Sequence, residues 1–258
     1  VKEKYQCNYY EALRIVAKDL GLIDGKVNKK QLIIPMPIFE EDKHSEIQIE
    51  VKQFTKQELD WWNQFSIKEE TLKKFNVFSA NTVFLDGEVF SKSSTRSFQF
   101  GYYFGKKDGK EVWKIYYPLN KKGKLRFLTN CPKNIIQGVR QLSDQGDILV
   151  ITKSMKDVMV FHELGISAIA PNSENLFISS NQYNKLKSIY QKIVVIYDND
   201  LPGIRAMNKF RKNNPEMDLN WLWIPRKYNA KDISDLVKSI GFEETKRLVE
   251  TTKQLLIQ

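Results

Sequence analysis

Apolar positions recur at helical spacing in residues 9 to 20, where Tyr9, Leu13, Val16 and Leu20 share one stripe and Gly21 supplies a stop. A strand is expected over 32–39, and Pro35 and Pro37 confine it to an edge or an extended arm. The polar stretch 40–50 reads as a linker, and a second helical pattern runs over 52–65 with Trp61 and Trp62 side by side. Ser66 with Glu69 three residues later predicts a capping box opening a third helix, whose buried face continues through Leu72 and Phe75. From residue 76 the texture changes to short β-prone runs at 82–85, 97–104, 111–117 and 125–128. Turn signals at Asp86-Gly87, Asp108-Gly109 and Lys122-Gly123 separate them, which predicts an antiparallel or mixed sheet.

Past Gly146 the rhythm alternates apolar strands with helices. Strands are expected at 147–152, 166–170, 193–197 and 219–224, with helices at 155–164, 181–190 and 203–212. Apolar strands separated by helices signal a parallel sheet covered on both faces. The fold class is therefore α/β: a mixed α+β subdomain over 1–145, a parallel-sheet, Rossmann-like domain over 146–236, and a helical tail over 237–258. Helical texture in that last stretch starts at Asp235 and is interrupted at Gly241.

Composition narrows the class without deciding it. The apolar runs fall short of the roughly 18 residues a membrane helix needs, so no membrane partner is expected. Two cysteines, Cys7 and Cys131, cannot build a disulfide framework, and with His44 and His162 they lack zinc-site spacing. A cytoplasmic setting is expected, in a bacterial cell or a phage-infected host once the resemblance below is added. The chain begins at Val1 with no signal peptide after it, as in a processed chain or a piece of a longer one. No G-x-x-x-x-G-K-[ST] loop is present, which leaves a helicase motor to another segment or chain. His162-Glu163 is followed by Ile166 where a zinc motif needs histidine, and a solvated helix edge accounts for the pair.

Charge is more informative in its distribution than in its sum. Lys plus Arg number 41 against 31 Asp plus Glu, a net +10. The window 101–133 holds nine basic and two acidic residues, so it carries +7 of that surplus. Tyr102, Tyr103, Trp113, Tyr116, Tyr117 and Phe127 are interleaved with the charges. Cations that hold phosphates and aromatic faces that stack on bases are the chemistry of single-strand binding. The other reading is a sheet with aromatics inside and lysines snorkelling outward; the two are compatible.

The candidate chemistry lies at strand ends. The strand 193–197 runs into Asp198-Asn199-Asp200 and then Leu-Pro-Gly203, and carboxylates beyond the carboxyl end of a parallel strand sit where α/β folds bind ligands. If the alternation persists, Asp198 and Asp200 share a side and can hold a hard cation; alternatively they end a strand and start a turn. Asp157, three residues after Ser154, faces that cleft or completes a cap. Asp232 and Asp235 are placed either at the site or at the cap of the last helix.

These residues resemble the Toprim domain of bacterial and phage primases. Asp198-x-Asp200-x-x-Gly203 is similar to its D-x-D motif, Ile148 to Asp157 to its first strand and loop, and Lys231-Asp232-Ile-Ser-Asp235 to its later acidic segment. Lys124 to Pro132 resembles the basic segment of DnaG-type primases, and Glu11-Ala12-Leu13 is similar to the stretch just after their zinc-binding domain. The resemblance implies a primase RNA polymerase core that extends ribonucleoside triphosphates on a single-stranded DNA template. Mg²⁺ or Mn²⁺ would be held by Asp198, Asp200 and Asp232, with Asp157 in support. Lys114, Lys124, Arg126 and Asn130 are the implied nucleotide- and template-binding residues, and a replicative helicase is the implied partner. One departure stands out: the family's first motif carries a glutamate where this chain has Lys153, and a protonated lysine neither binds a metal nor replaces a carboxylate. Glu174, in the loop after the strand 166–170, is the candidate substitute among the catalytic residues. A binding module with a weakened site and a Toprim nuclease are the alternatives.

Overall fold

Short, alternating strand signals and the tight turns between them build the first half of the molecule. The computed structural model describes residues 45–121, 123–172 and 178–257; the helix expected at 9–20 and the strand at 32–39 lie outside them. Strand β1 (Ile47–Lys52) replaces the end of the expected linker and the start of the expected helix. The helix begins later, as α1 (Lys56–Asn63), because Thr55 and Glu58 form a capping box there. Helix α2 (Glu69–Lys74) is not capped by Ser66, whose φ of 59° is left-handed. The helix has Lys68 at its N-cap with no side-chain cap, and Glu163 holds its start from across the chain, accepting from the Lys68 amide at 3.0 Å and the Thr71 hydroxyl at 2.6 Å. The pair His162-Glu163 is therefore a tie between helices rather than a solvated edge.

Strand β2 (Val77–Leu85) is longer than its apolar core suggested, and β3 (Glu88–Lys92) comes after it through Asp86-Gly87. Both turn residues have positive φ, 52° and 85°, and Asp108-Gly109 repeats the pattern between β4 (Phe100–Lys107) and β5 (Lys110–Tyr116). With β6 (Phe127–Thr129) these strands form one sheet, ordered β1-β2-β4-β5-β6 with β3 also on β2, and every pairing is antiparallel.

The second sheet has five strands, in the order 220–221, 190–195, 146–151, 167–171 and 136–137. Strands β8 (Gly146–Ile151), β9 (Ser167–Pro171), β10 (Tyr190–Val195) and β11 (Asn220–Trp221) run parallel, and the short β7 (Ile136–Gln137) lies antiparallel to β9. Helices α3 (Met155–Glu163), α4 (Ser180–Lys187) and α5 (Leu201–Asn213) connect them. Along β8 the two faces separate cleanly: Ile148 and Val150 enter one core, Leu149 and Ile151 the other. The first of these cores also takes Trp62, Phe100, Tyr102 and Tyr116, so the antiparallel half and the parallel sheet share buried surface. Helices α6 (Ile233–Ile240) and α7 (Phe242–Ile257) complete the chain, broken at Gly241, whose φ of 84° suits glycine. No helix among the described residues is long and apolar enough to cross a membrane.

Candidate active site

The acidic residues are placed by the ends of β8 and β10 and by the start of α6. After Ile151 the chain enters α3 through Ser154, whose hydroxyl oxygen accepts from the Asp157 amide at 3.2 Å and donates to its carboxylate at 2.6 Å. Ser234 in α6 donates to the other carboxylate oxygen. Asp157 is thus a buried tie between two helices, and it lines the cleft as well. Burial, reinforced by Asp232, pushes its pKa up to about 7 against the opposing pull of Lys156 and the two hydroxyls.

Beyond β10, Asp198 is fixed by its neighbours. A Cβ on Gly203 would lie 2.1 Å from the Asp198 carbonyl oxygen, so only glycine lets α5 start this close to the strand end. Asn199 anchors the same turn twice, its amide donating to Lys231 O at 2.7 Å and its side chain to Ile224 O at 2.8 Å. Asp200 is the N-cap of α5, accepting from the Gly203 amide at 2.8 Å. The strand alternation ends at Val195, which is why Asp198 lines the cleft and Asp200 does not. Burial raises the Asp198 pKa to about 6; Lys153 opposes the shift, while Asp232 and Asp200 add to it. Asp232 caps α6, accepting from the Asp235 amide at 2.7 Å, and both residues line the cleft.

Across from these carboxylates stands a cationic and aromatic wall contributed by β5 and β6. The cleft between them has a volume of about 570 Å³. Its walls carry six cations, Lys114, Arg126, Lys153, Lys156, Lys231 and Lys238, against four aspartates. Lys114 is buried, donates to Asn172 O at 2.7 Å and lies 4.8 Å from the Phe127 ring; burial lowers its pKa to about 8. Lys156 sits 4.2 Å from the Phe65 ring, and although burial opposes its charge, Asp157, Asp232 and Asp235 outweigh that and raise its pKa. Phe127 is 38% exposed and stacks on Tyr116 at 4.9 Å, beside Arg126. Of the aromatic residues interleaved with the basic run, Tyr102, Trp113, Tyr116 and Tyr117 are buried in the cores and Tyr103 is half-buried outside this cleft, so the stacking surface here narrows to Phe127.

Two further wall residues point to a ligand. Gln137 and Asn172 are both buried, and each has a carboxamide oxygen with no hydrogen-bond partner. An unmatched buried acceptor costs roughly 1–3 kcal/mol, which a donor on a bound molecule would relieve. Sequence reasoning missed both, because only the pairing of β7 with β9 places Gln137 beside Pro171 and Asn172; it missed Lys156 too, although that residue lies within the stretch 148–157.

The cleft brings together Asp157, Asp198, Asp232, Lys114 and Arg126. It does not include Lys124, which is exposed, or Asn130, whose side chain holds β5 by accepting from the Trp113 amide at 2.8 Å and donating to Glu111 O at 2.9 Å. Glu174 lies outside the described residues. Among the described residues no three His, Cys, Asp or Glu side chains are grouped to hold a metal. The donor set does fit an ion held by one or two carboxylates with substrate phosphates completing its shell, the usual arrangement for Mg²⁺.

Residues 150–237 match the family model described as Toprim-like. They form the parallel-sheet half that carries the acidic wall. Comparison with curated proteins gives no sequence match. Among solved structures, the Aquifex aeolicus primase, comprising zinc-binding and RNA polymerase domains, superposes with a TM-score of 0.56 at 15% identity, covering 97% of this chain and 69% of that one. A DnaG catalytic core gives 0.55 at 15%, covering 78% and 74%. A DnaG primase catalytic domain bound to single-stranded DNA gives 0.52 at 16%, covering 75% and 74%. The chain has the fold of DnaG-type primase catalytic cores, with a Toprim domain in its second half.

Proposed function

We propose that this chain is a primase-type nucleotidyl transferase that joins ribonucleotides on a single-stranded DNA template. The observation that carries the reading is the facing of Asp198 and Asp232, with Lys156 beside them, against Lys114 and Arg126 across one cleft, in a primase-core fold. Arg126 and Lys156 are suited to the phosphates of the incoming nucleotide, and the exposed face of Phe127 to a base. The unmatched oxygens of Gln137 and Asn172 can accept from nucleotide hydroxyl or amino groups. Asp198 and Asp232 would hold Mg²⁺ or Mn²⁺ together with the triphosphate, with Asp200 orienting the turn that presents Asp198. A bound ion would neutralise the triphosphate and lower the cost of attack by a primer 3′-oxygen on the α-phosphate. Asp157, buried and bonded to two serines, positions α3 against α6. A DNA-bound relative of the same fold supports the template assignment, and a replicative helicase is the partner this reading implies.

Labelled-ribonucleotide incorporation on a panel of single-stranded templates tests the proposal. Product is expected with Mg²⁺ or Mn²⁺, reduced by at least about a hundredfold in Asp198→Asn with the fold unchanged by circular dichroism. Equal product from that variant would remove Asp198 from the chemistry. A second reading, a binding module that synthesises nothing, is favoured by the ion pair of Lys153 with Asp198 at 3.5 Å. It predicts tight single-strand binding, no product from the native chain, and synthesis gained in Lys153→Glu.

A further inference from the structure

We propose that Lys153 is the resident cation at Asp198 and makes divalent-metal binding there conditional on the nucleotide. The inference rests on the nucleotide-binding reading above and concerns the order in which the site fills. Lys153 leaves β8 one residue before the cap of α3, and its ammonium lies 3.5 Å from an Asp198 carboxylate oxygen. The pair is well shielded, with side chains 6% and 19% exposed. The backbone that carries Asp198 is fixed, because Gly203 packs on its carbonyl and Asn199 is tied on both sides.

Apart from Asp235, which also lines the cleft, the remaining carboxylates are already partly engaged. Both oxygens of Asp157 accept from serine hydroxyls, and one oxygen each of Asp200 and Asp232 caps a helix. A free divalent ion arriving at Asp198 would therefore find few donors and a lysine charge within a few ångströms. Like charges at that separation repel strongly where water is scarce. A triphosphate changes the balance. Its oxygens complete the ion's coordination shell, and its negative charge gives Lys153 a second anion to pair with. Metal then enters as part of the nucleotide complex, and until it does Lys153 is the counter-charge of Asp198.

The test measures Mn²⁺ binding by electron paramagnetic resonance on the full chain, first without nucleotide and then with a non-hydrolysable ATP analogue. Without nucleotide, Lys153→Met is expected to tighten Mn²⁺ binding by about tenfold and Lys153→Glu by about a hundredfold. Lys153→Arg, which keeps the charge, should stay near the native value and controls for disturbed folding. With the analogue, native affinity for Mn²⁺ should rise until it lies within about threefold of Lys153→Met. Free-ion affinities that are equal in the native chain and Lys153→Met overturn the proposal, whatever the nucleotide does. Tightening in Lys153→Met with no analogue bound by any variant upholds the block at Lys153 and rejects the nucleotide reading instead.

Discussion

The two walls of the cleft are built on opposite principles. The antiparallel wall uses most of its aromatic residues for packing and, Lys114 apart, leaves its cations at the surface, so its chemistry rests on side chains such as Arg126 and Phe127 at the start of strand β6. The parallel wall keeps its chemistry at strand ends and helix caps, where backbone constraints fix each carboxylate: Gly203 for Asp198, Ser154 and Ser234 for Asp157, and the α6 cap for Asp232. The difference teaches that substitutions at the packed joints of the parallel wall, Gly203 and Asp157, should disturb folding and function together. On the antiparallel wall they should alter binding alone.

The largest effect is expected at Gly203. An alanine there places its Cβ against the Asp198 carbonyl, and Gly203→Ala should cost about 3 kcal/mol in denaturant unfolding, with incorporation falling in parallel. A variant as stable as the native chain would show that the start of α5 yields, and would weaken the claim that the turn is rigid. Next comes Asp157→Ala, which strands two serine hydroxyls in the core and should cost about 2 kcal/mol. Asp157→Asn sharpens the point through pH. The folded state holds the Asp157 proton up to about pH 7, whereas the ordinary value is 3.8. Between those values the native state binds more protons than the unfolded one, so this residue's contribution to stability is full below pH 4 and declines as pH rises towards 7. Melting temperatures across that range should lose this part of their slope in Asp157→Asn; an unchanged slope would place the titration elsewhere.

The smallest effects belong to the antiparallel wall. Arg126 lines the cleft and Lys124 does not. Arg126→Ala should weaken single-strand binding by about tenfold and Lys124→Ala by about threefold, each lowering the salt dependence by about one phosphate contact. Fluorescence anisotropy across a salt series measures both, and unfolding curves should barely move. Equal losses at the two positions would mean the strand crosses the open sheet rather than the cleft.

The same contrast explains what could be read from sequence. The parallel strands were legible because long apolar runs have no other use, and the D-x-D-x-x-G spacing was legible because Gly203 answers a local steric demand. The register of that motif was not, since it depends on where β10 stops; Val195 ends it and turns Asp200 into a cap. Likewise Ser66 looks like a cap, but the helix starts after Lys68, whose amide is held by a carboxylate 95 residues away, that of Glu163. Aromatic residues next to lysines resemble a stacking surface in one dimension, and only the shared core reveals that most of them are interior. Gln137 and Asn172 carry no local signal at all, because their meeting is made by strand pairing.

The central claim is that both walls serve one ligand, a nucleotide with its metal. A crystal structure of the chain soaked with Mn²⁺ and a non-hydrolysable ribonucleoside triphosphate tests it most directly. The account predicts phosphates between Arg126 and Lys156, with an anomalous Mn²⁺ peak bonded to Asp198 or Asp232. A triphosphate bound outside this cleft, or inside it with no ion at either carboxylate, would contradict it.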